Sequence, residues 1–232
     1  EDYNVGGRSA GAGMVAGTII GTIVGGAATV GTAQLGFKLG LTAWWFTLGS
    51  GIALMLMAIF YSVPLRRSGL TTIAEFLVTN YGKSAGWLAT LSACTGIFFS
   101  IVASTLTALH LVAGIFNVPL TLAAGVIILV TAALVFFGGL SSSGMAGIFK
   151  IMLIFASIFV GGLLAYNDMG GYTGIRAVFP EQPWFSLFGR GLGDGLFSLG
   201  AMIVGVISTQ TYVQAIFSAK NGRAAAAGCL SA

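Results

Sequence analysis

Helix-breaking glycines, and the backbone carbonyls they release, are the groups in this sequence best suited to do chemistry. Ser9, Gly13, Gly17, Gly21, Gly25 and Thr29 recur every four positions, which sets these small residues along one ridge of a helix. Small residues let neighbouring backbones approach closely, and in lipid this compensates for the missing hydrophobic drive. A tightly packed central helix would explain that ridge by itself. Gly25-Gly26-Ala27-Ala28 carries more. Paired glycines favour unwinding, and a carbonyl released from the helical ladder in lipid needs a partner. In transporters that partner is often a cation. A second interrupted stretch holds Gly200 and Gly205, then Ser208-Thr209-Gln210 and Gln214. Discontinuous helices in corresponding positions of two repeats point to a binding site near the bilayer midplane.

Acid–base machinery is missing from the apolar stretches, which hold no Asp or Glu. Lys150 falls about one turn into its apolar run, and a lysine there is expected to snorkel to the cytoplasmic interface. His110, the single histidine, lies towards the outer end of its run and fits a satisfied or interfacial residue better than a proton relay. Cys94 and Cys229 have no metal-ligand spacing and fit as core residues. The run from Gly11 to Gly17 has the wrong spacing for a dinucleotide fingerprint and follows no strand. Gly139 to Gly144 lacks the order of a nucleophile elbow. No catalysis is expected.

The elements that must position these groups follow from composition. The 232 residues are 56% hydrophobic and 7% charged, where a soluble domain carries about 25% charge. Mean hydropathy is +0.98. Too few polar side chains remain to cover a water-facing surface, so lipid is the solvent for most of the chain. Between Lys83 and Lys150 there is no Asp, Glu, Lys or Arg. The net charge of +4 is scattered over loops and forms no stripe for nucleic acid; a positive balance also suits the cytoplasmic loops of a membrane protein.

Apolar runs predict an all-α, polytopic transmembrane domain with spans at about 9–35, 41–65, 85–116, 119–137, 145–166 and 196–217, and a seventh starting near Ala224. Asn117-Val118-Pro119 ends the third span, because proline pushes its predecessor out of helical geometry. Gly138-Gly139 is expected to stop the fourth. Residues 66–83 alternate apolar and polar faces at helical spacing, which predicts an interfacial helix. Residues 167–195 are expected to form a long extracellular loop. Arg8, Arg66, Arg67, Lys83, Lys150, Lys220 and Arg223 outnumber Lys38, Arg176 and Arg190. The positive-inside rule therefore places residue 1 and 66–83 in the cytoplasm of a multi-pass cell-membrane protein. Both ends look cut.

Three ordered stretches resemble the sodium:solute symporter family. Gly7-Arg8-Ser9 is similar to its G-R-S entry, residues 71–77 (TTIAEFL) to its Y-T-I-P-E-F-L, and residues 210–220 (QTYVQAIFSAK) to its Q-x-x-x-Q-R-x-L-A-A-K. Asn117 to Leu120 and Phe137 to Leu140 resemble its turns. The resemblance implies a LeuT-type inverted repeat with alternating access, of which this chain holds the first five-helix repeat, the sixth core helix and the start of the seventh. It implies a sodium ion on backbone carbonyls of the first core helix, which fall at Gly21 and Val24, with hydroxyl partners beyond Ala232. It also implies a substrate pocket between the two broken helices, near Gly25, Gly26, Ala28, Ser50, Met202, Gly205 and Gln210. The family's T-D-x-x-Q reads here Ala146, Gly147 and Lys150. Its sugar-binding Gln, Glu and Asn read Ala28, Thr47 and Met202, which disfavours a sugar because hydroxyl-rich ligands need matched buried partners.

The resulting expectation is cation-coupled symport of a small organic solute, with sodium as coupling ion and the lipid bilayer as surroundings. A symporter-like sensor module of a signalling protein is the alternative, and a structural membrane subunit is a third. The solute and the oligomeric state are not named by the sequence.

Overall fold

The computed structural model describes residues 5–232, the side chains of Ala27, Val135 and 137–143 excepted. Helix makes up 87% of it, with no strand among the described residues beyond an isolated bridge between Ala10 and Ala219. The first apolar run is two helices, α1 (Ala12–Ile23) and α2 (Gly26–Leu39). A tight turn at Gly40–Trp44 leads to α3 (Trp45–Leu56). A π-turn at Met57–Tyr61 carries that helix into α4 (Ser62–Ser68). Pro64 explains the widened turn: it has no N–H for the carbonyl four residues back, and its ring crowds that carbonyl.

Helix α5 (Ile73–Tyr81) opens with a capping box, Thr72 accepting from the Glu75 amide while Glu75 accepts from the Thr72 amide. This helix occupies the part of 66–83 expected to lie at the interface, whereas 66–68 still belong to α4. Helix α6 (Lys83–Phe116) stops at Asn117, whose φ of 50° is left-handed, just before Val118-Pro119.

Helix α7 (Leu120–Asp168) is continuous where the sequence expects two spans parted at Gly138-Gly139. Glycine costs about 1 kcal/mol in a helix interior but does not force a break, and leucines, alanines and phenylalanines on both sides sustain the helix. The expected extracellular loop also differs, because it contains α8 (Gly171–Val178) and the single turn α9 (Glu181–Trp184). Trp184 folds over Gly40 and packs against Phe37 and Phe179, which gives the segment an apolar anchor. Helices α10 (Leu192–Ser208), α11 (Gln210–Ser218) and α12 (Gly222–Ser231) complete the chain.

The core gathers Val15 and Ile19 of α1, Ala53 and Leu54 of α3, Val206 of α10, Ile216 and Phe217 of α11, and Cys229 of α12. Helices α6 and α7, by contrast, expose Leu88, Phe98, Phe99, Phe155 and Phe159. Such apolar exposure marks surface built for lipid. Among the described residues Ala28–Ser68, Lys83–Phe116 and Gly144–Asp168 are long and apolar enough to cross a membrane, and the bent pair α10–α11 makes a fourth. The molecule is a multi-pass, all-helical membrane protein.

Candidate ion and solute site at the helix breaks

The break in the first helix follows from where its amides point. Val24 still donates to Ile20 O at 2.8 Å, but its ψ of 67° leaves the helix. Gly25 is extended (φ −89°, ψ −179°), and its N–H turns to Ile23 O at 2.9 Å. In an unbroken helix that N–H would have closed on Gly21. The Gly21 carbonyl is thereby left without its helical partner, as the paired glycines lead one to expect. It accepts instead from Lys150 Nζ at 3.0 Å. The sequence expects Lys150 to snorkel outward; in the structure its amine turns inward to the seam between α1 and α7.

Glycines build that seam. A Cβ at Gly17 would overlap Gly144 O and come within 2.7 Å of Ile148 Cγ1, and one at Gly147 would overlap Gly17 O. Gly144, Gly147 and Lys150 recur every three residues, so they share one face of α7. The two glycines admit the backbone of α1, and the lysine reaches over it.

Beyond the break, Thr29 Oγ1 is shared between the carbonyls of Gly25 (3.1 Å) and Gly26 (3.2 Å). Gly25 and Gly26 face α6, where a Cβ would come within 3.5 Å of Ser104 Oγ and 2.9 Å of Thr107 Cγ2 respectively. Ala28 lies in the first turn of α2, partly exposed.

The second break lies at Thr209, extended at ψ 118° between α10 and α11, which bend by 48°. Local hydroxyls cover the freed carbonyls. Ser208 Oγ donates to Val204 O at 2.7 Å, and Thr209 Oγ1 to Gly205 O at 2.6 Å. Met202 packs on Gly49 of α3, where a Cβ would lie 2.6 Å from Met202 Cβ. The adjacent Ser50 is buried and donates to Phe46 O at 2.8 Å. Gln210 is engaged elsewhere, its Oε1 accepting from the Ile73 amide of α5 at 2.9 Å.

Among the expected site residues, Gly21, Val24, Gly25 and Gly26 therefore form one constellation with Lys150, Ser104 and Thr107. Ser50 and Met202 meet at the α3–α10 contact, and Gln210 caps α5. Sequence reasoning missed Ser104, Thr107 and the inward turn of Lys150. The three-residue spacing of Gly144, Gly147 and Lys150 was the available signal for the last. A hollow of about 520 Å³ lies away from the breaks, between α5 and the start of α6, lined by Thr72, Val78, Lys83 and Trp87 among others.

Broken helices in a lipid-facing bundle, with a carbonyl freed from the helical ladder at the first break, are features of a membrane transporter. The model of the sodium:solute symporter family matches residues 3–232, and the chain belongs to that family. It is also 25% identical over 240 residues to the human high affinity choline transporter 1. The match covers 97% of this chain and 41% of that relative, so the chain spans less than half the relative's length. Both matches are to transporters, and nothing in them favours a sensor.

Proposed function

We propose that this chain forms part of a secondary transporter that moves a small organic solute together with sodium by alternating access, and that it carries the backbone-carbonyl part of the ion site. The observation that supports this best is the Gly21 carbonyl, released by the Val24–Gly25 break in a chain of the sodium:solute symporter family. A carbonyl freed from the helical ladder in lipid suits a cation, and the Gly21 carbonyl already meets one in the Lys150 ammonium. Gly21 and Val24 would hold the sodium with their backbone carbonyls, and the ion would supply a positive charge at the break while its gradient across the membrane would drive uptake.

The remaining work falls to the chain's own residues. Gly25 and Gly26 keep the break close to α6, with Ser104 and Thr107 beside it. Thr209 satisfies the Gly205 carbonyl that the second break releases, while the Thr29 hydroxyl adds a second donor at the Gly25 and Gly26 carbonyls that open α2. Solute would lie near Gly25, Gly26, Ala28, Ser50, Met202 and Gly205. Residue 1 and α5 would face the cytoplasm and 167–195 the outside of the cell membrane.

Thermal unfolding of the intact protein in detergent tests this reading, in sodium against potassium at equal ionic strength. The panel is choline, amino acids, carboxylates and vitamins, with choline included because of the relative. A solute at a hundred times its Kd adds about 2.7 kcal/mol to the native state. Stabilisation that appears only in sodium is the expected result. Stabilisation independent of sodium, or none from any solute, overturns it.

A further inference from the structure

Lys150 Nζ lies 3.0 Å from Gly21 O, and that oxygen is one of the two carbonyls assigned to the ion. Building on the sodium reading above, we propose that Lys150 is a tethered cation that competes with sodium for the Gly21 carbonyl. Sodium then enters the first helix break only when the ammonium withdraws.

Electrostatics makes the competition strong. Sodium on the second lone pair of Gly21 O would stand beside a fixed positive charge, and two unit charges about 4–5 Å apart repel enough to weaken binding by up to several hundredfold at an effective dielectric of about 20. Among the described residues no carboxylate is placed beside Gly21 to offset that repulsion. Helices α1 and α2 hold no Asp or Glu, and the ionisable residues of α6 are Lys83, Cys94 and His110. Arg8 precedes α1, and α8 brings Tyr172 and Arg176. Asp168 closes the far end of α7.

Lys150 is only partly buried and its neighbour Phe149 is exposed, so its flexible four-carbon stem can carry the ammonium away from Gly21 towards the outer flank of α7.

A plain structural role, in which Lys150 only satisfies an orphaned carbonyl, makes a different prediction, and the variants separate the two. Lys150→Gln keeps an N–H donor for Gly21 O without the charge, Lys150→Met keeps the stem alone, and Lys150→Arg keeps the charge. The experiment titrates sodium against potassium in the intact protein and reads the unfolding midpoint. Lys150→Gln or Lys150→Met should reach half-saturation at a sodium concentration about tenfold lower than wild type, or lower still, while Lys150→Arg stays weak. Half-saturation that is unchanged or higher in both neutral variants overturns the proposal, even if their midpoints fall.

Sodium-driven solute uptake by wild type in vesicles is measured alongside. Uptake with unchanged sodium affinity in the variants rejects the competition alone. Absence of any sodium effect on stability or uptake rejects the competition and the sodium reading together.

Discussion

Gly147 of α7 rests on the backbone carbonyl of Gly17 in α1 so closely that a Cβ at position 147 would overlap that oxygen. The contact continues to Gly21, whose Cα would lie 3.1 Å from the same Cβ. In a bilayer, where lipid tails compete equally for apolar side chains, such close backbone packing is a principal source of helix association. It also fixes the height of Lys150 against Gly21.

Gly147→Ala should therefore destabilise the protein by about 1–3 kcal/mol, as overpacking does in a tight interior. Gly161→Ala, on the same helix where a Cβ meets nothing within 4 Å, should stay within about 0.5 kcal/mol. Thermal unfolding in detergent compares the two. Equal midpoints would show that α1 and α7 do not cross there.

The first break is expected to depend on the fit between Gly26 and Thr107. A Cβ at Gly26 would approach Thr107 Cγ2 to 2.9 Å, so Gly26→Ala should lower stability and solute uptake. Thr107→Ser removes that methyl and keeps the hydroxyl, which donates to Ala103 O at 3.0 Å. The double variant should recover about 0.5–3 kcal/mol relative to additivity. A purely additive cycle would contradict the contact.

Thr29→Val replaces the hydroxyl shared by the Gly25 and Gly26 carbonyls with a methyl of similar shape. The Gly25 carbonyl keeps the Thr29 N–H at 3.0 Å, so losing the extra hydroxyl bond should cost about 0.5–1.5 kcal/mol. Thr29→Ser should restore most of that loss, and no loss in the valine variant would mean the carbonyls are satisfied otherwise.

At the interfacial helix, hydrogen bonds from the backbone N–H and then the hydroxyl of Thr71 hold the Glu75 carboxyl below its ordinary value of 4.5. A depressed folded-state value stabilises above the unfolded pKa and is lost as pH falls through the folded one. Protection of the α5 amides against hydrogen exchange should accordingly decline below about pH 4.5 in wild type. Glu75→Gln should flatten that decline, and an unchanged pH profile in the variant would refute the assignment.

The helices themselves were legible because hydropathy is local. Apolar runs mark α6 and most of α7, and Pro119 forbids helix at its own amide, which is why α6 ends where expected. Glycine pairs were less readable, since glycine permits a break without requiring one. Gly25-Gly26 stands at a true break because Thr29, Ser104 and Thr107 gather around it, whereas Gly138-Gly139 lies within continuous helix. The loop at 167–195 concealed α8 and α9, whose anchor is the contact of Trp184 with Phe37 far away in the sequence.

By itself the sequence determined the solvent, the family resemblance and the positions where backbone carbonyls come free, because charge depletion and glycine spacing act over a few residues. Tertiary structure decided which groups those carbonyls meet. Lys150 reaches Gly21 across 129 positions through glycines on both helices that let α1 and α7 touch, and Gln210 is drawn to the Ile73 amide across 137. A partner so distant along the chain is set by how helices cross, and local pattern does not encode that crossing.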